Sequence, residues 1–308
     1  MKVLVTGGAG FIGSHIADAL ITRGYEIDIV DNLSTGRIEN VPAKARFYNC
    51  VFDSAEVKNL IQKNRYEVIS HHAAQIDVRK SVVDPAGDVE NDVAATVRLL
   101  QWAVESNVRH VVFASSGGAI YGEQQYFPAD EKHPINPLSP YGLNKWFVEK
   151  YLQYYYRECG LGYTALRYAN VYGPRQNYLS EAGVVAIFSH KLLHGEEAVI
   201  NGSGEQTRDF LFIEDAVAAN IAAIERYYCG ALNIGTGIET SVNTIFAVIK
   251  ELTGSPQTER HGPPKKGEQM RSVIAFRKAE QDLRWSPQVF IREGIKLTIQ
   301  YFAHNKPQ

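Results

Sequence analysis

The chain has 308 residues, 45% of them hydrophobic and 21% charged, with a formal net charge of −2. That length supports a full hydrophobic core, and the composition is that of an ordinary soluble globular protein. No stretch approaches the roughly 20 apolar residues of a membrane span, and so small a net charge without a dense Lys/Arg run argues against nucleic acid or anionic lipid as a partner.

In chain order, short apolar runs alternate with helical periods. KVLVT (2–6), EIDIVD (26–31), ARFYNCVF (45–52) and EVISHHAA (67–74) read as strands, with helices FIGSHIADALITRG (11–24) and SAEVKNLIQKN (54–64) between them. The pattern resumes with helix DVAATVRLLQWAVES (92–106), strand VRHVVFASS (108–116), the long helix SPYGLNKWFVEKYLQYYYRECG (139–160) and strand GYTALRYANVYG (162–173). Strands separated by helices of this length build a parallel sheet, so the expected fold is α/β with a Rossmann-type doubly wound parallel sheet. After Pro174 the rhythm loosens, and HGPPKKGEQ (261–269) is rich in Pro, Lys and Gly. The expected partition is a dinucleotide-binding domain over 1–174, with returns from about 208–237, and a smaller α/β substrate lobe over 175–308.

Cys50, Cys159 and Cys229 are odd in number, far apart and without CxxC spacing. They read as free thiols in a reducing compartment and give no metal site. MKVLVTGG is no signal peptide, which makes the cytoplasm the expected location.

Gly7, Gly10 and Gly13 fall on the first strand-to-helix turn. Glycine there permits the tight turn, close backbone approach to a pyrophosphate and close packing of helix on strand, while the helix N-terminus, with Phe11 and Ile12 in its first turn, favours the anion. Asp31 ends the second strand, where a carboxylate accepts from a ribose diol and repels a 2′-phosphate, so NAD is favoured over NADP. Asn32 follows it, and Arg37 keeps NADP open as an alternative. YGLNK sets Tyr141 and Lys145 four apart on one helix face. An ammonium beside a phenol favours the phenolate, which makes a proton acceptor; an amphipathic helix with a packed Tyr and a snorkelling Lys is the plainer alternative.

The ordered set TGGAGFIGSH, Asp31, the HHAA segment, paired serines before YG, YGLNK, LRYANVYGP, RDF and NIGTG resembles the extended short-chain dehydrogenase/reductase family, most closely its UDP-glucose 4-epimerase branch. The resemblance runs over almost the whole chain. It implies tightly held NAD, with Ala73 and Ala74 of HHAA and Asp53 among its contacts, and a C-terminal lobe that grips a UDP-sugar. It implies that the hydroxyl of Ser116 bonds the reacting oxygen of the sugar beside Tyr141, and that Lys145 lowers the pKa of that tyrosine and holds the nicotinamide ribose. Ser115 is assigned to satisfying the last backbone groups of its strand. The 4,6-dehydratases of the family carry an Asp-Glu pair directly after this hydroxyl; here Gly117 and Gly118 stand there. The implied reaction is therefore oxidation at the sugar 4-position, rotation of the 4-keto sugar and reduction on the other face, interconverting UDP-glucose and UDP-galactose. Another NAD-dependent nucleotide-sugar enzyme (dehydratase, decarboxylase or reductase) and a non-catalytic NAD-binding regulator are the alternatives.

In the substrate lobe, Asn170 and Arg208 match diphosphate-binding positions, and Arg suits a diphosphate because its planar fork donates two parallel bonds. An ion pair with Asp209 or Glu205 is the other reading of Arg208. Lys265 and Glu268 replace the more usual Arg and Asp of the nucleotide grip. Ser272 falls where the family has a residue walling the sugar 2-position, leaving room for an N-acetyl group. Cys50, Ala95 and Ala275 are departures from the usual Asp, Gly and Asp. The resemblance implies a homodimer packed through the helices that contain DVAATVRLLQWAV and KWFVEKYLQYYY; a core-facing role for both helices is the alternative.

Overall fold

The computed structural model describes residues 1–179, 183–264 and 269–304. Its strands are β1 (Lys2–Thr6), β2 (Glu26–Val30), β3 (Arg46–Tyr48), β4 (Val68–His71), β5 (His110–Ser116), β6 (Gly162–Tyr168), β7 (Asn170–Tyr172), β8 (Val199–Asn201), β9 (Thr207–Arg208), β10 (Phe210–Phe212), β11 (Gly230–Ile234), β12 (Thr240–Ser241), β13 (Arg260–Gly262) and β14 (Arg271–Ser272). The helices that position the site are α1 (Phe11–Thr22), α2 (Ala55–Asn64), α3 (Val78–Val83), α4 (Pro85–Asp88), α5 (Ala95–Glu105), α6 (Gly117–Ile120), α7 (Pro140–Cys159), α8 (Val184–Leu193), α9 (Ile213–Arg226), α10 (Val242–Thr253), α11 (Arg277–Leu283) and α12 (Ile291–His304).

Seven strands form one sheet in the order β11-β6-β5-β4-β1-β2-β3, every neighbouring pair parallel. Apolar runs such as Val3–Val5 and Val111–Phe113 are buried because helices cover both faces of the sheet. On one face Leu99, Leu100, Ile61 and Leu152 join helices α2, α5 and α7 to the strands; on the other Ile16, Leu20, Ala219 and Ile224 join α1 and α9. The strand order reverses between β1 and β4, and a crevice outside the C-terminal ends of the strands at such a reversal is where α/β sheets bind ligands.

Local chemistry explains the elements that bear the site. In α7, Ser139 caps the N-terminus, its Oγ accepting the Gly142 N–H at 3.2 Å, Pro140 occupies the first turn, and Gly160 ends the helix at φ 74°. The helix expected from residue 92 begins earlier, with one π-helical turn over Val89–Ala94 leading into α5. The strand expected over 162–173 divides. Ala169 donates its N–H to Ile234 in the main sheet, Asn170 donates to Asp209 outside it, and β7 pairs with β10 instead. Farther along the chain, α9 packs on α1, and β11 completes the edge of the sheet beside β6.

A second core of Phe188, Leu192, Phe212, Phe246, Ile249 and Ile295 gathers α8, α10 and α12 around β7 and β10. Short sheets, β12-β9-β14 and β13-β8, lie with this part of the chain. No helix among the described residues is long and apolar enough to cross a membrane.

Candidate active site

The glycine turn after β1 is fixed by sterics. Gly7 has φ +68°, and a Cβ on it would lie 2.6 Å from the Ala73 nitrogen; a Cβ on Gly13 would lie 2.2 Å from the Gly7 oxygen. Gly10 stands at the α1 N-cap without a side-chain cap. The first-turn N–H groups around Phe11, Ile12 and Gly13 are thus offered to an anion by a twelve-residue helix, as a pyrophosphate requires. Asp31 is buried at the end of β2. Its two oxygens accept the N–H groups of Ala9, at 3.0 Å, and Leu33, at 2.8 Å. The same carboxylate therefore ties down the glycine turn and keeps lone pairs for a ribose diol. Gly36, which the sequence reading passed over, lets the following loop close against it: a Cβ there would meet Asp31 Oδ1 at 2.8 Å.

The other cofactor residues are unequal. Asn32 is exposed and accepts the Ser34 N–H through its side chain, a local turn. Arg37 is exposed. Asp53 accepts two bonds from Arg98, at 2.6 and 3.1 Å, so one carboxylate oxygen is already engaged, and burial pushes the neighbouring Cys50 thiol up. Ala73 and Ala74 line a small cavity with His71, Phe113, Asn144 and Lys145. These features fit a dinucleotide: an uncapped helix end, a turn too tight for any Cβ and an acid placed for a ribose.

Ser116 ends β5, and Tyr141 and Lys145 lie one turn apart at the start of α7. Tyr141 is anchored by its N–H, which donates to Ser81 Oγ at 3.1 Å. Burial pushes its phenol well above the usual tyrosine range, the Asp92 charge adds to this, and the facing hydroxyl of Ser116 opposes both. Lys145 Nζ lies 5.0 Å from the Phe113 ring centroid and 5.6 Å from that of Tyr141. Burial lowers its pKa against the pull of Asp92 and Asp88. The resemblance gives Lys145 the lowering of this pKa; in the structure the group that opposes the rise is Ser116.

The paired serines divide their work, but not as expected. Ser115 does not serve the strand end; it donates to Glu149 Oε1 at 2.5 Å. Glu149, one turn beyond Lys145 on α7, takes Arg167 in a two-pronged pair at 2.7 and 3.0 Å, and Arg167 donates in turn to the Tyr121 hydroxyl at 2.9 Å. This buried network locks β5, β6 and α7 together under the reacting groups. The signal for Glu149 was present in the sequence: it lies at i+4 from Lys145, but facing a serine whose side chain looked local.

The two glycines after Ser116 differ. A Cβ on Gly117 would meet Ile274 Cδ1 at 2.7 Å and the Arg167 carbonyl at 3.1 Å. A Cβ on Gly118 would lie 3.6 Å from Asn170 Oδ1 and 4.0 Å from Ser116 Oγ, in ordinary contact. Asn170 and Ser116 thus flank Gly118. Arg208 lies on β9 in register with Ser272 of β14, and Ser272 is buried. Arg208 Nη1 donates to the Thr207 carbonyl at 2.8 Å. Its neighbour Asp209 faces elsewhere, accepting from Thr236 N (2.9 Å), Thr236 Oγ1 (2.6 Å), Gly237 N (3.2 Å) and Ile274 N (3.4 Å). Ala275 donates its N–H to the Ala129 carbonyl, and Ala95 is buried at the start of α5. Lys265 and Glu268 lie outside the described residues.

The chain is 41% identical over its whole length to a UDP-glucose 4-epimerase of Mycolicibacterium smegmatis, of which it also covers 100%. Among solved structures it is similar to UDP-glucose 4-epimerase with UDP-glucose from Thermotoga maritima (TM-score 0.96, 45% identity, 99% of each chain). It is similar also to a Thermus thermophilus UDP-glucose 4-epimerase complex with NAD (TM-score 0.94, 39% identity, 98% of this chain and 99% of that one). Residues 3–235 match the NAD dependent epimerase/dehydratase family, a span that runs from the glycine turn through Ser116, Tyr141 and Lys145 to the last strand of the main sheet. NAD is the dinucleotide this turn serves, and the chain belongs to the NAD dependent epimerase/dehydratase family.

Proposed function

We propose that the chain interconverts UDP-glucose and UDP-galactose. The observation that carries this reading is the Ser116 hydroxyl facing Tyr141 beyond the C-terminal ends of the strands, with Gly117 and Gly118 following Ser116 and so no acid there to expel water. Bound NAD supplies a reversible acceptor for the hydrogen at the sugar 4-carbon. Tyr141 accepts the proton of the 4-hydroxyl and returns it after the sugar has turned; Ser116 orients that oxygen, and Lys145 holds the nicotinamide ribose and supplies positive charge. Gly7, Gly10, Phe11, Ile12 and Gly13 bind the pyrophosphate, Asp31 the adenosine ribose, and Asn32, Asp53, Ala73 and Ala74 flank the dinucleotide. Asn170 and Arg208 take the substrate diphosphate, and Lys265 and Glu268 belong to the uridine grip.

Ser272 leaves space at the sugar 2-position, so the N-acetylhexosamine pair is accepted as well; equal turnover of the acetylated sugar by Ser272→Tyr contradicts this. The protein works as a cytoplasmic homodimer, with an NAD-binding domain over 1–174 and a substrate lobe over 175–308. Support for the dimer is the outer face of α7, where Leu143, Phe147, Tyr151 and Tyr154 are 39, 40, 41 and 48% exposed in one stripe.

The test is incubation with UDP-glucose and no added reductant, followed by chromatography and mass analysis. The expected result is a second peak of unchanged mass that co-elutes with UDP-galactose. Loss of one water makes the chain a dehydratase, and an unchanged substrate overturns the reading.

A further inference from the structure

Asp92 lies beside Lys145, and no step of the proposed chemistry uses it. It belongs to the π-helical turn over Val89–Ala94, a geometry frequent at functional sites. One oxygen accepts the Gln75 N–H at 2.9 Å; the other is buried with no hydrogen-bond partner. Asp88, one turn earlier, is different. Its oxygens accept from Gln75 Nε2 at 2.9 Å and from Asn144 Nδ2 at 2.8 Å. Two buried carboxylates thus stand on one face, one saturated and one with an open oxygen.

Asp92 lines a cavity of about 10 Å³ with His71, Thr96, Asn144 and Lys145, room for about one water. The charged and titratable groups around it are few. Asp88 faces it from α4, Tyr141 and Lys145 from α7, and His71 and His72 from the end of β4. Glu90, on its own turn, is taken outward by Arg98, which also holds Asp53. Burial holds His71 far below its usual range, with both ring nitrogens on the hydroxyls of Thr6 and Thr96, and pushes His72 down to about 3. Both histidines are neutral at pH 7, so Lys145 is the one cation on the cavity wall. Among the described residues no carboxylate comes within ion-pair distance of its Nζ, and a buried ammonium needs a counter-charge.

We propose that Asp92 is that counter-charge, acting across the one-water cavity: a positioning residue that holds the ammonium of Lys145 charged and in place beside Tyr141. The inference rests on the reading of Tyr141 and Lys145 as the proton-handling pair. The electrostatics agree with the geometry. Burial lowers the Lys145 pKa, and Asp92 is the first of the two carboxylates that oppose it; burial raises that of Asp92, and Lys145 opposes it. On Tyr141 the Asp92 charge adds to burial in disfavouring the phenolate. Removing the charge therefore eases ionisation of the tyrosine and deprotonation of the lysine together.

The test compares the NAD-loaded wild type with Asp92→Asn, which keeps an oxygen for Gln75 but not the charge. Both limbs of the bell-shaped kcat profile on UDP-glucose are expected to move toward acid by about one pH unit, the size of shift a near charge produces, with KM changed less than about twofold. Asp92→Glu, which keeps the charge, is expected to retain the wild-type profile. A second readout needs no turnover: in the tyrosinate absorbance titration without substrate, the component absent from Tyr141→Phe titrates about one unit lower in Asp92→Asn. If Asp92→Asn does not accumulate folded, Asp92→Ser is read in the same titration. Superimposable titrations for wild type and the uncharged variant overturn the inference, as does an equal shift in Asp92→Glu. Full activity in Tyr141→Phe removes the proton-handling reading instead, and is a separate outcome.

Discussion

The two halves of the site are held by different kinds of structure. Ser116, Tyr141 and Lys145 stand on a strand end and the first turns of a twenty-residue helix, locked from below by the Ser115–Glu149–Arg167 network. Arg208, Ser272 and Asn170 stand on strands of two or three residues, in small sheets outside the main one. Beside their short ladders and apolar core, one buried carboxylate ties those pieces together: Asp209 gathers the loop at Thr236 and Gly237 and the segment at Ile274 onto the end of β9. The contrast matches the two tasks. Proton transfer demands atoms fixed within a few tenths of an ångström, which regular elements supply; a grip that holds a nucleotide while the hexose turns can be assembled from short pieces, provided that something fastens them.

The largest expected effect falls on the rigid half. Tyr141→Phe removes the proton acceptor and should lower kcat by roughly 10²- to 10⁴-fold, with KM for UDP-glucose changed only a few-fold and the melting temperature nearly unchanged. A loss below tenfold in initial-rate assays would mean that another group accepts the proton, and the contrast between the halves would lose its chemical meaning.

A smaller effect separates the two glycines that join the halves. Gly117→Asp drives a Cβ to 2.7 Å from Ile274 Cδ1, a buried side chain of the second half, and to 3.1 Å from the Arg167 carbonyl of the first. Overpacking of this kind costs about 1–3 kcal/mol, and urea unfolding should show it as a lowered midpoint. Gly118→Asp, whose Cβ makes only ordinary contacts, should stay within about 0.5 kcal/mol of wild type. Its carboxylate enters the space between Asn170 and Ser116, so it should fail in sugar binding rather than in folding. Equal stability losses at the two positions would show that the seam between the halves is softer than its geometry.

How much of this was legible in the sequence follows the same division. The seven-strand sheet, the glycine turn, Asp31 and the Tyr141–Lys145 spacing are written in periods of two and four residues and in glycine positions, which need no knowledge of distant partners. Ser115 misled because its partner, Glu149, lies 34 residues away in sequence, and a serine at a strand end looks locally explained. Asp92 carried no motif at all; only the fold reveals that one of its oxygens is buried without a donor. The break at Ala169 was hidden because one residue alone separates the two strands, and the change of hydrogen-bond partner from Ile234 to Asp209 is a tertiary event.

The subtlest prediction concerns the clasp of the irregular half. Burial raises the Asp209 carboxyl from its usual 3.8 to about 6, against the donors of Thr236, Gly237 and Ile274. Because the folded pKa is the higher, the folded state holds more protons than the unfolded state between about 4 and 6, so this group's contribution to stability is full below about 4 and is lost as pH rises through about 6. Binding should run the other way. Protonation takes acceptor capacity from an oxygen that fastens the segments flanking Arg208 and Ser272, so KM for UDP-glucose should rise as pH falls through about 6. Asp209→Asn removes the titration and should flatten both trends: calorimetry between pH 7 and 5 should show the wild type gaining melting temperature relative to the variant, while the KM of the variant stays level and high. If the KM of the wild type is constant across that range, the carboxylate is no clasp, and the short strands of the second half are held by their apolar core alone.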